Sequence, residues 1–497
     1  MKTRELIKCI EEKKTFNLIN TDIKGIAYDS RKVKENFLFA AIRGNKSDGH
    51  LFIKDAIDRG AKIIVAEKRS TVLPSDISEI IVQDSRDALH KLAAEFYGHP
   101  SKKINVVGIT GTKGKTTVSY IIKHVLEHTG NKCGILGTIS YQIGERTINS
   151  TNTTPESLDI QQFLADMLEE KCKWAVMEVS SHGSIQGRTE GIHFDTGIFT
   201  NIASHEHLDY HKTFRNYLHA KLIFFDTYMK CSEKENKAGI VNADDPYAKY
   251  FTRSLRKNGI RCVTCGTRNS DVQLKEYSIK RDGNYMKVEI GNEKIDFYTR
   301  IRGFSNIYNT LSAIAFAKAR EIPMESVKEA LASLESIPGR FESVNAGQDF
   351  DVIVDYAHTH PALANLLSSI RKMNPARIIL VFGCGGDRDK TKRPLMGKVA
   401  VKMADIVFIT SDNPRSENPE KIIEDIEKGI PFYRRRYVSM PDRKQAITEA
   451  VKAARKGDCV VIAGKGHESF QIMANTIIPF DDREEVKKAI LANSRNG

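Results

Sequence analysis

The stretch Gly108-Ile109-Thr110-Gly111-Thr112-Lys113-Gly114-Lys115-Thr116-Thr117 constrains this chain more than any other, because it sets a glycine-punctuated loop between a short apolar strand and an amphipathic helix. Ile104, Val106 and Val107 supply the strand, and Val118, Ile121, Ile122, Val125 and Leu126 recur at helical spacing up to a stop at Gly130. Such a loop aims backbone N–H groups at an anion held at the helix N-terminus, where the helix dipole favours negative charge. Lys115 then reaches the β/γ-phosphates of a nucleotide, and the Thr116 hydroxyl meets Mg²⁺. The strict phosphate-loop pattern has glycine where Ile109 stands, so this is a variant with glycines at 108, 111 and 114. Stripped of its flanks, the stretch reads as a glycine turn with an exposed lysine; the strand, the helix and Lys-Thr-Thr sit where phosphate binding needs them.

At 497 residues the chain is too long for one hydrophobic core and implies two to four domains. Its start, Met1-Lys2-Thr3-Arg4-Glu5, leads toward an expected charged helix around Glu11-Glu12-Lys13-Lys14, with no apolar signal core and no stretch long enough to span a membrane. A cytoplasmic location is expected. Cys9, Cys133, Cys172 and Cys231 lie far apart, which argues against a disulfide framework. Cys262-Val-Thr-Cys265 is the only CxxC; alternation through Ile260, Cys262 and Thr264 reads as a strand, with a zinc or redox role as the alternative. The net charge of +13 admits nucleic acid as a partner, yet the Lys and Arg residues are dispersed among 63 acidic ones. Anionic small substrates explain a basic site equally well. The densest basic run, Arg434-Arg435-Arg436, reads as solvated surface.

Residues 1 to about 98 form a small α/β segment, with Gly25-Ile-Ala-Tyr-Asp-Ser-Arg31, Phe37-Leu-Phe-Ala-Ala-Ile42, a helix near Ile53–Arg59 and the strand Lys62-Ile-Ile-Val-Ala66. It carries no nucleophile or metal cluster and reads as a binding module. His99-Pro100-Ser101 marks a first boundary and Ser336-Ile337-Pro338-Gly339 a second, after a helix over Met324–Leu334. Between them apolar strands alternate with helices, as in a largely parallel sheet whose ligands bind at the strands' carboxyl ends. Beyond the second boundary, Val352–Asp355, Ile378–Gly383 and Cys459–Gly464 are three further strands ending in polar or glycine-rich loops.

Glu178 closes the apolar run Trp174-Ala-Val-Met-Glu178 and is followed by Val179-Ser180-Ser181-His182, which brings a carboxylate to the sheet edge where the phosphate loop opens. Mg²⁺ on phosphate takes one or two such carboxylates or hydroxyls. Alone, Glu178 is equally well a surface carboxylate. Asn201-Ile-Ala-Ser-His205-Glu206-His207-Leu208-Asp209-Tyr210-His211 is dense in ligand atoms; service to phosphate and Mg²⁺ is the simpler reading, and zinc the alternative.

Taken together, Gly111-Thr-Lys-Gly-Lys-Thr-Thr117, Glu178-Val-Ser-Ser-His182, Glu206-His-Leu-Asp-Tyr-His211, Val241-Asn-Ala-Asp-Asp-Pro246, Gly339-Arg-Phe-Glu342, Asp355-Tyr-Ala-His358 and Ser411-Asp-Asn-Pro-Arg415 resemble the motifs of the Mur ligases, in the family's order. Within that family the chain is similar to the members that add the third peptide residue to the peptidoglycan precursor. The likeness runs from Asp29-Ser-Arg31 to Phe480-Asp-Asp-Arg483. It implies an α/β protein of three domains. Residues 1–99 would be a small α/β domain binding the UDP-muramoyl substrate, 100–337 a central ATP-binding phosphate-loop domain with a mostly parallel sheet, and 338–497 a Rossmann-like domain binding the incoming amino acid.

The implied reaction phosphorylates the D-glutamate carboxylate of UDP-N-acetylmuramoyl-L-alanyl-D-glutamate with ATP, after which an amino group attacks the acyl phosphate. By resemblance, Lys115, Glu178, His207 and Lys221 are catalytic, and Thr116, Glu178, His207 and Lys221, the last as a carbamate, hold Mg²⁺. From sequence alone Lys221 would be a helix-surface lysine. The nucleotide contacts would be Gly111, Thr112, Lys113, Gly114, Lys115, Thr116, Thr117, Asn306, Asn309, Arg340 and Asp355. The UDP-muramoyl dipeptide would meet Tyr28, Ser30, Asn45, Lys46, Ser47, Asn152, Thr153, Thr154, Ser180, Gln186 and Arg188.

For the incoming amino acid, resemblance points to meso-diaminopimelate and to Arg388, Asp412, Asn413, Pro414, Arg415, Gly464 and Glu468. Arg415 and Arg388 offer planar forks to a distal carboxylate, and Glu468 pairs with the neighbouring ammonium. Asn-Pro-Arg alone is also an ordinary turn. Three departures from the family pattern stand out: one extra residue between Asn201 and His207, His360 where proline is usual, and Thr391 where glycine is usual. L-lysine, another amino acid, or a modified muramoyl peptide is the alternative substrate. A folate-type ligase and a nucleic-acid-associated phosphate-loop protein are the competing classes. The expected partners are the small molecules alone, with no nucleic acid and no membrane, for a monomer.

Overall fold

The computed structural model describes residues 1–44, 47–70, 73–204, 206–433, 437–474 and 476–493. The chain divides into two units, one of residues 1–273 and 311–327, the other of 274–310 and 328–497.

The first unit holds two sheets. In the smaller, Lys13–Phe16, Ser78–Val82, Ala61–Ala66, Phe37–Ala40 and Gly25–Ala27 lie side by side, parallel except at the first pair. Alternation sends Ile63 and Val65 into one core and Ile64 and Ala66 into another, so the central strand is apolar on both faces. The expected helix around Glu11–Lys14 is not what forms. Helix Thr3–Leu6 and the 3₁₀ turn Ile7–Cys9 stop short of it, and Lys13–Phe16 becomes an edge strand. Charge pairs on an isolated helix contribute only about 0.2–0.5 kcal/mol each. A backbone ladder from Lys13–Val82 to Phe16–Glu79, with the Arg69 guanidinium over the Phe16 ring, outweighs them.

In the larger sheet Asn105–Thr110 lies between Trp174–Glu178 and Thr196–Phe199. Cys133–Leu136 continues one side; Ala238–Asn242 and Arg261–Gly266 continue the other, all in parallel. The antiparallel strands Ser140–Ile143 and Arg146–Asn149 extend the first side. Because the chain leaves Asn105–Thr110 toward one side and later returns to pair on its other side, this strand is the switch point where a ligand crevice opens. Cys262 and Cys265 lie on a strand as expected, and all eight cysteines are free thiols.

The second unit pairs Asn284–Ile290 with Glu293–Thr299 as a hairpin. Its main sheet runs Glu342–Ser343, Asp351–Asp355, Cys459–Ala463, Ile378–Phe382, Ile406–Ile409, Tyr437–Ser439, parallel after the first pair. Ile378, Leu380 and Phe382 face one core while Ile379 and Val381 face the other. Arg302, following the hairpin, forks onto both oxygens of Asp351 at 3.1 and 2.9 Å and fastens it to this sheet. The strands end at Asp355, Phe382, Ile409 and Ala463, so their carboxyl-end loops carry Gly383–Arg388, Asp412–Arg415 and Gly464–Glu468. Among the described residues no helix is long and apolar enough to cross a membrane.

Candidate active site

The phosphate loop is shaped by close approach. A Cβ on Gly108 would fall 2.5 Å from the Phe224 ring, and one on Gly111 would fall 1.9 Å from Thr200 Oγ1. Gly114, at φ 88°, turns the chain into helix Lys115–His128. Thr200 and Asn201, at the end of the neighbouring strand, staple the loop: Thr200 Oγ1 donates to the Lys113 carbonyl at 2.7 Å, and the amides of Thr112 and Lys113 donate to Asn201 at 2.8 and 2.9 Å. Thr112 Oγ1 shares a hydrogen bond with Tyr217 at 2.8 Å, which ties the loop to the helix that carries Lys221. Lys115 folds back to donate to the carbonyls of Gly111 and Thr112 at 2.9 and 3.2 Å.

Glu178 ends its strand 1% exposed. Its Oε1 accepts from Thr116 Oγ1 at 2.9 Å and the Thr138 amide at 2.8 Å, and its Oε2 accepts from Thr138 Oγ1 at 3.0 Å. The surface-carboxylate alternative is thereby excluded. A buried hydroxyl and carboxylate beside a helix N-terminus are hard oxygen donors of the kind Mg²⁺ takes.

His207 occupies a left-handed turn (φ 58°) at the start of Leu208–His211. Burial first, then Lys115, Lys221 and His182, pull its pKa down to about 3. His182 packs against His207, Tyr210 and His211, and His211 Nε2 lies 2.9 Å from Ser181 Oγ, a structural role for that ring. Burial and then the charges of His182 and Lys221 lower His211 to about 4. Lys221 is only 1% exposed, its Nζ 4.7 Å from the centre of the Tyr217 ring one turn earlier. Burial, reinforced by Lys115 and opposed by Glu206, holds its pKa well below the ordinary lysine value. The sequence reading of an exposed lysine fails because helix Phe214–Ile223, followed directly by a π-helical turn Phe224–Met229, buries the residue.

Five of the eleven residues expected to meet the UDP-muramoyl dipeptide are joined to this centre. Thr153 Oγ1 lies 3.1 Å from Thr138 Oγ1, and Thr154 Oγ1 donates to the Glu178 carbonyl at 2.8 Å while accepting from the Ser180 amide at 2.9 Å. Arg188 donates to Gln186 and to the Thr154 carbonyl at 2.9 and 2.8 Å. Asn152 is fixed by its amide and carbonyl on Tyr141 OH. Tyr28 donates to Asp159 at 2.6 Å, Ser30 is buried, and Ser47 is an exposed loop residue. Asn45, Lys46 and His205 lie outside the described residues, as do Arg434–Arg436. Glu156, which sequence reading missed, accepts from Arg86 at 2.9 Å and ion-pairs with Arg188 at 3.0 Å, and so links the two sheets of this unit. Its signal was only its place directly after Thr153-Thr154-Pro155.

In the second unit Asn306 donates to the Arg302 carbonyl, and Asn309 to Asn306 Oδ1, at 2.7 and 2.8 Å. Asp355 accepts from the Phe341 and Ala357 amides, both at 2.8 Å, and thereby braces the loop of Arg340, whose guanidinium lies over the Tyr356 ring. Arg415, at φ 53°, donates to the Gly386 carbonyl at 2.8 Å beside the loop of exposed Arg388. A Cβ on Gly464 would meet Asp412 Oδ2 at 2.7 Å, so the strand ends carrying Asp412-Asn-Pro-Arg415 and Gly464 touch. Asn413 Nδ2 donates to Glu468 Oε2 at 2.8 Å. Beneath them lie residues sequence reading missed. Arg443 and Asp482 pair with both side chains 0% exposed, and Arg393 bonds Glu417 and Asp425.

Comparison with known proteins gives three family matches: "Mur ligase family, catalytic domain" over residues 22–97, "Mur ligase middle domain" over 109–317 and "Mur ligase, glutamate ligase domain" over 339–466. The UDP-N-acetylmuramoyl-L-alanyl-D-glutamate--2,6-diaminopimelate ligase of Caldanaerobacter subterraneus subsp. tengcongensis is 44% identical over 476 residues, 96% of each chain. The protein of the same name from Syntrophomonas wolfei is 45% identical, covering 97% of this chain and 98% of the relative. A solved structure of a ligase of that name superposes with a TM-score of 0.70 at 28% identity, over 99% of this chain and all of the other. The fold is therefore a three-domain α/β fold, with the smaller sheet, the larger sheet and the last sheet matched in turn.

Proposed function

The chain belongs to the Mur ligase family, and from that premise we propose that it joins meso-diaminopimelate to UDP-N-acetylmuramoyl-L-alanyl-D-glutamate with ATP, in peptidoglycan precursor synthesis. ATP transfers its γ-phosphoryl group to the D-glutamate carboxylate, the diaminopimelate amine attacks the acyl phosphate, and ADP and phosphate leave. The observation that carries this reading is that Thr116 donates to buried Glu178 at a strand end beside the phosphate loop, that buried His207 and Lys221 both feel the charge of Lys115, and that Thr153, Thr154 and Ser180 are hydrogen-bonded to Thr138, to the Glu178 carbonyl and to Thr154 in turn.

Catalysis of this kind is positioning and charge neutralisation. The loop amides and Lys115 hold the triphosphate; Lys115 leaves its present carbonyl acceptors to do so. Thr116, Glu178, His207 and Lys221 would hold Mg²⁺, which would neutralise phosphate charge. Lys221 serves as a carbamate: burial favours its neutral amine, the form that adds CO₂. His207 stays neutral at physiological pH and so keeps a lone pair available. Asn306, Asn309, Arg340 and Asp355 are assigned to the nucleotide on the family likeness. Residues 1–99, 100–337 and 338–497 are taken as the substrate, ATP and amino-acid domains of a cytoplasmic monomer.

Arg415 and Arg388 receive the distal carboxylate of diaminopimelate, and Glu468 its ammonium. L-lysine lacks that carboxylate and would leave a guanidinium unpaired, a difference worth about 10³-fold or more in a site built on polar pairing. The test is ADP release with a panel of amino acids. Turnover should require both the UDP-muramoyl dipeptide and meso-diaminopimelate; ATP consumption indifferent to either, or a preference for L-lysine, would refute the reading.

A further inference from the structure

Lys465 is 0% exposed, and its ammonium is fully occupied: it donates to Asn413 Oδ1 at 3.2 Å, Glu468 Oε2 at 3.2 Å and the Phe470 carbonyl at 2.6 Å. A lysine buried this completely is rare unless paired, and here it takes up all three of its donors. Its acceptors are not scattered. Asn413 Oδ1 also accepts from the Ile472 amide at 2.9 Å, which fixes the orientation of the side-chain amide and turns Nδ2 onto Glu468 Oε2. Glu468 Oε2 therefore receives two hydrogen bonds, one from Lys465 and one from Asn413, while Oε1 receives none from the described residues. Glu468 itself is partly exposed, at 22% of its side chain.

We propose that Lys465 is a positioning and specificity-determining residue for the incoming amino acid, acting through Glu468. It pins Oε2 and leaves Oε1 as the acceptor for the substrate's distal ammonium. It also cancels the charge of Glu468, so the pair as a whole is neutral. A neutral pair attracts a lone ammonium weakly. An amino acid with only a distal amine gains little there, and one whose distal end carries both an ammonium and a carboxylate must be recognised by geometry and by the arginines. Without Lys465 the pocket would hold an uncancelled negative charge, which favours a cationic side chain over a zwitterionic one.

The inference rests on reading Glu468 as the acceptor of the distal ammonium, and the test separates the two. In the full-length enzyme, Lys465→Met should raise KM for meso-diaminopimelate by about 10- to 100-fold, as expected for a charge-assisted hydrogen bond lost from the partner that orients the acceptor. The kcat should change less than about 3-fold, and KM for ATP and for the UDP-muramoyl dipeptide should stay fixed. The preference for meso-diaminopimelate over L-lysine should fall about 10-fold. Lys465→Met combined with Glu468→Gln should be no worse than Glu468→Gln alone, because Lys465 acts through that carboxylate. Should Lys465→Met fail to fold, Lys465→Gln keeps a donor for the Phe470 carbonyl and reads the same quantities. An unchanged KM and preference in either folded variant, or fully additive losses in the double variant, overturns the proposal. If Glu468→Gln itself leaves KM for meso-diaminopimelate unmoved, the reading of Glu468 fails instead.

Discussion

The pair Arg443–Asp482 offers a prediction whose size follows from the structure. Arg443 Nε and Nη2 donate to the two oxygens of Asp482, each at 2.7 Å, and both side chains are fully buried. Two further donors go to the carbonyls of Ser411 (3.2 Å) and Ala463 (3.1 Å), the strand ends from which Asp412–Arg415 and Gly464–Glu468 begin. Burial disfavours the Arg443 charge, but Asp482 more than offsets this and leaves its pKa raised. Asp482→Asn removes the compensating charge, turns one of the two acceptors into a donor facing the guanidinium, and leaves Arg443 in a low-dielectric core with neutral acceptors only. Breaking one side of such a pair costs about 3–5 kcal/mol, whereas replacing both partners with apolar groups is often neutral. At about 2–4 °C per kcal/mol for a domain of this size, Asp482→Asn should lower the melting temperature by about 6–20 °C. Arg443→Met with Asp482→Leu should recover most of it. The control lies on the same helix, Asp482–Asn493, where the exposed Lys487–Glu484 pair should be worth about 0–1 kcal/mol. Differential scanning calorimetry and urea unfolding read these directly. A loss below about 1 kcal/mol for Asp482→Asn, or a double variant as unstable as the sum of the singles, would refute the reasoning. The recovered double variant should still bind meso-diaminopimelate less well, since Ser411 and Ala463 lose a shared tether.

Lys221→Ala should reduce ligase activity about 100-fold or more, with partial recovery on adding small carboxylic acids; a variant with unaltered activity would remove Lys221 from the reaction. Arg415→Ala should lower kcat/KM for meso-diaminopimelate about 10- to 100-fold with little effect on ATP, measured by amino-acid titration at saturating ATP. His467 gives a pH dependence. Burial, then Arg340 and Arg483, hold its pKa at about 4 against an ordinary 6.5, with Asp481 partly opposing. Above pH 6.5 the ring is neutral in both folded and unfolded chains; between pH 6.5 and 4 only the unfolded chain gains the proton. Stability should thus fall by about 3 kcal/mol across that window and level off below it. His467→Leu should flatten the slope, as urea unfolding at several pH values will show; an unchanged slope would place the acid sensitivity elsewhere.

What the sequence made legible tracks how local each feature is. The phosphate loop was readable because strand, glycines, lysine and helix follow one another within some two dozen residues and each local preference agrees with the next. The parallel sheets were readable for the same reason, since strands such as Cys459–Ala463 and Ile378–Phe382 are apolar on both faces. Glu11–Lys14 misled because charge spacing speaks only for an isolated helix, while the deciding term is a ladder to Ser78–Val82. The polar interior was the least legible. An apolar stripe announces which face of a helix turns inward, but helix Phe214–Ile223 carries its lysine inward against the Tyr217 ring, where burial and Lys115 disfavour its charge and only Glu206 supports it. Arg443 needs a carboxylate 39 residues away, and Lys465, set between Gly464 and Gly466, looks like part of a turn until Asn413 and Glu468 close around it. A buried charge is stable only where distant partners complete it, so its signature is spread over segments that periodicity reads separately. Lys221 therefore shows in the sequence only through a family motif, whereas Lys465, with no motif of its own, shows only where the folded chain brings Asn413, Glu468 and Phe470 around it.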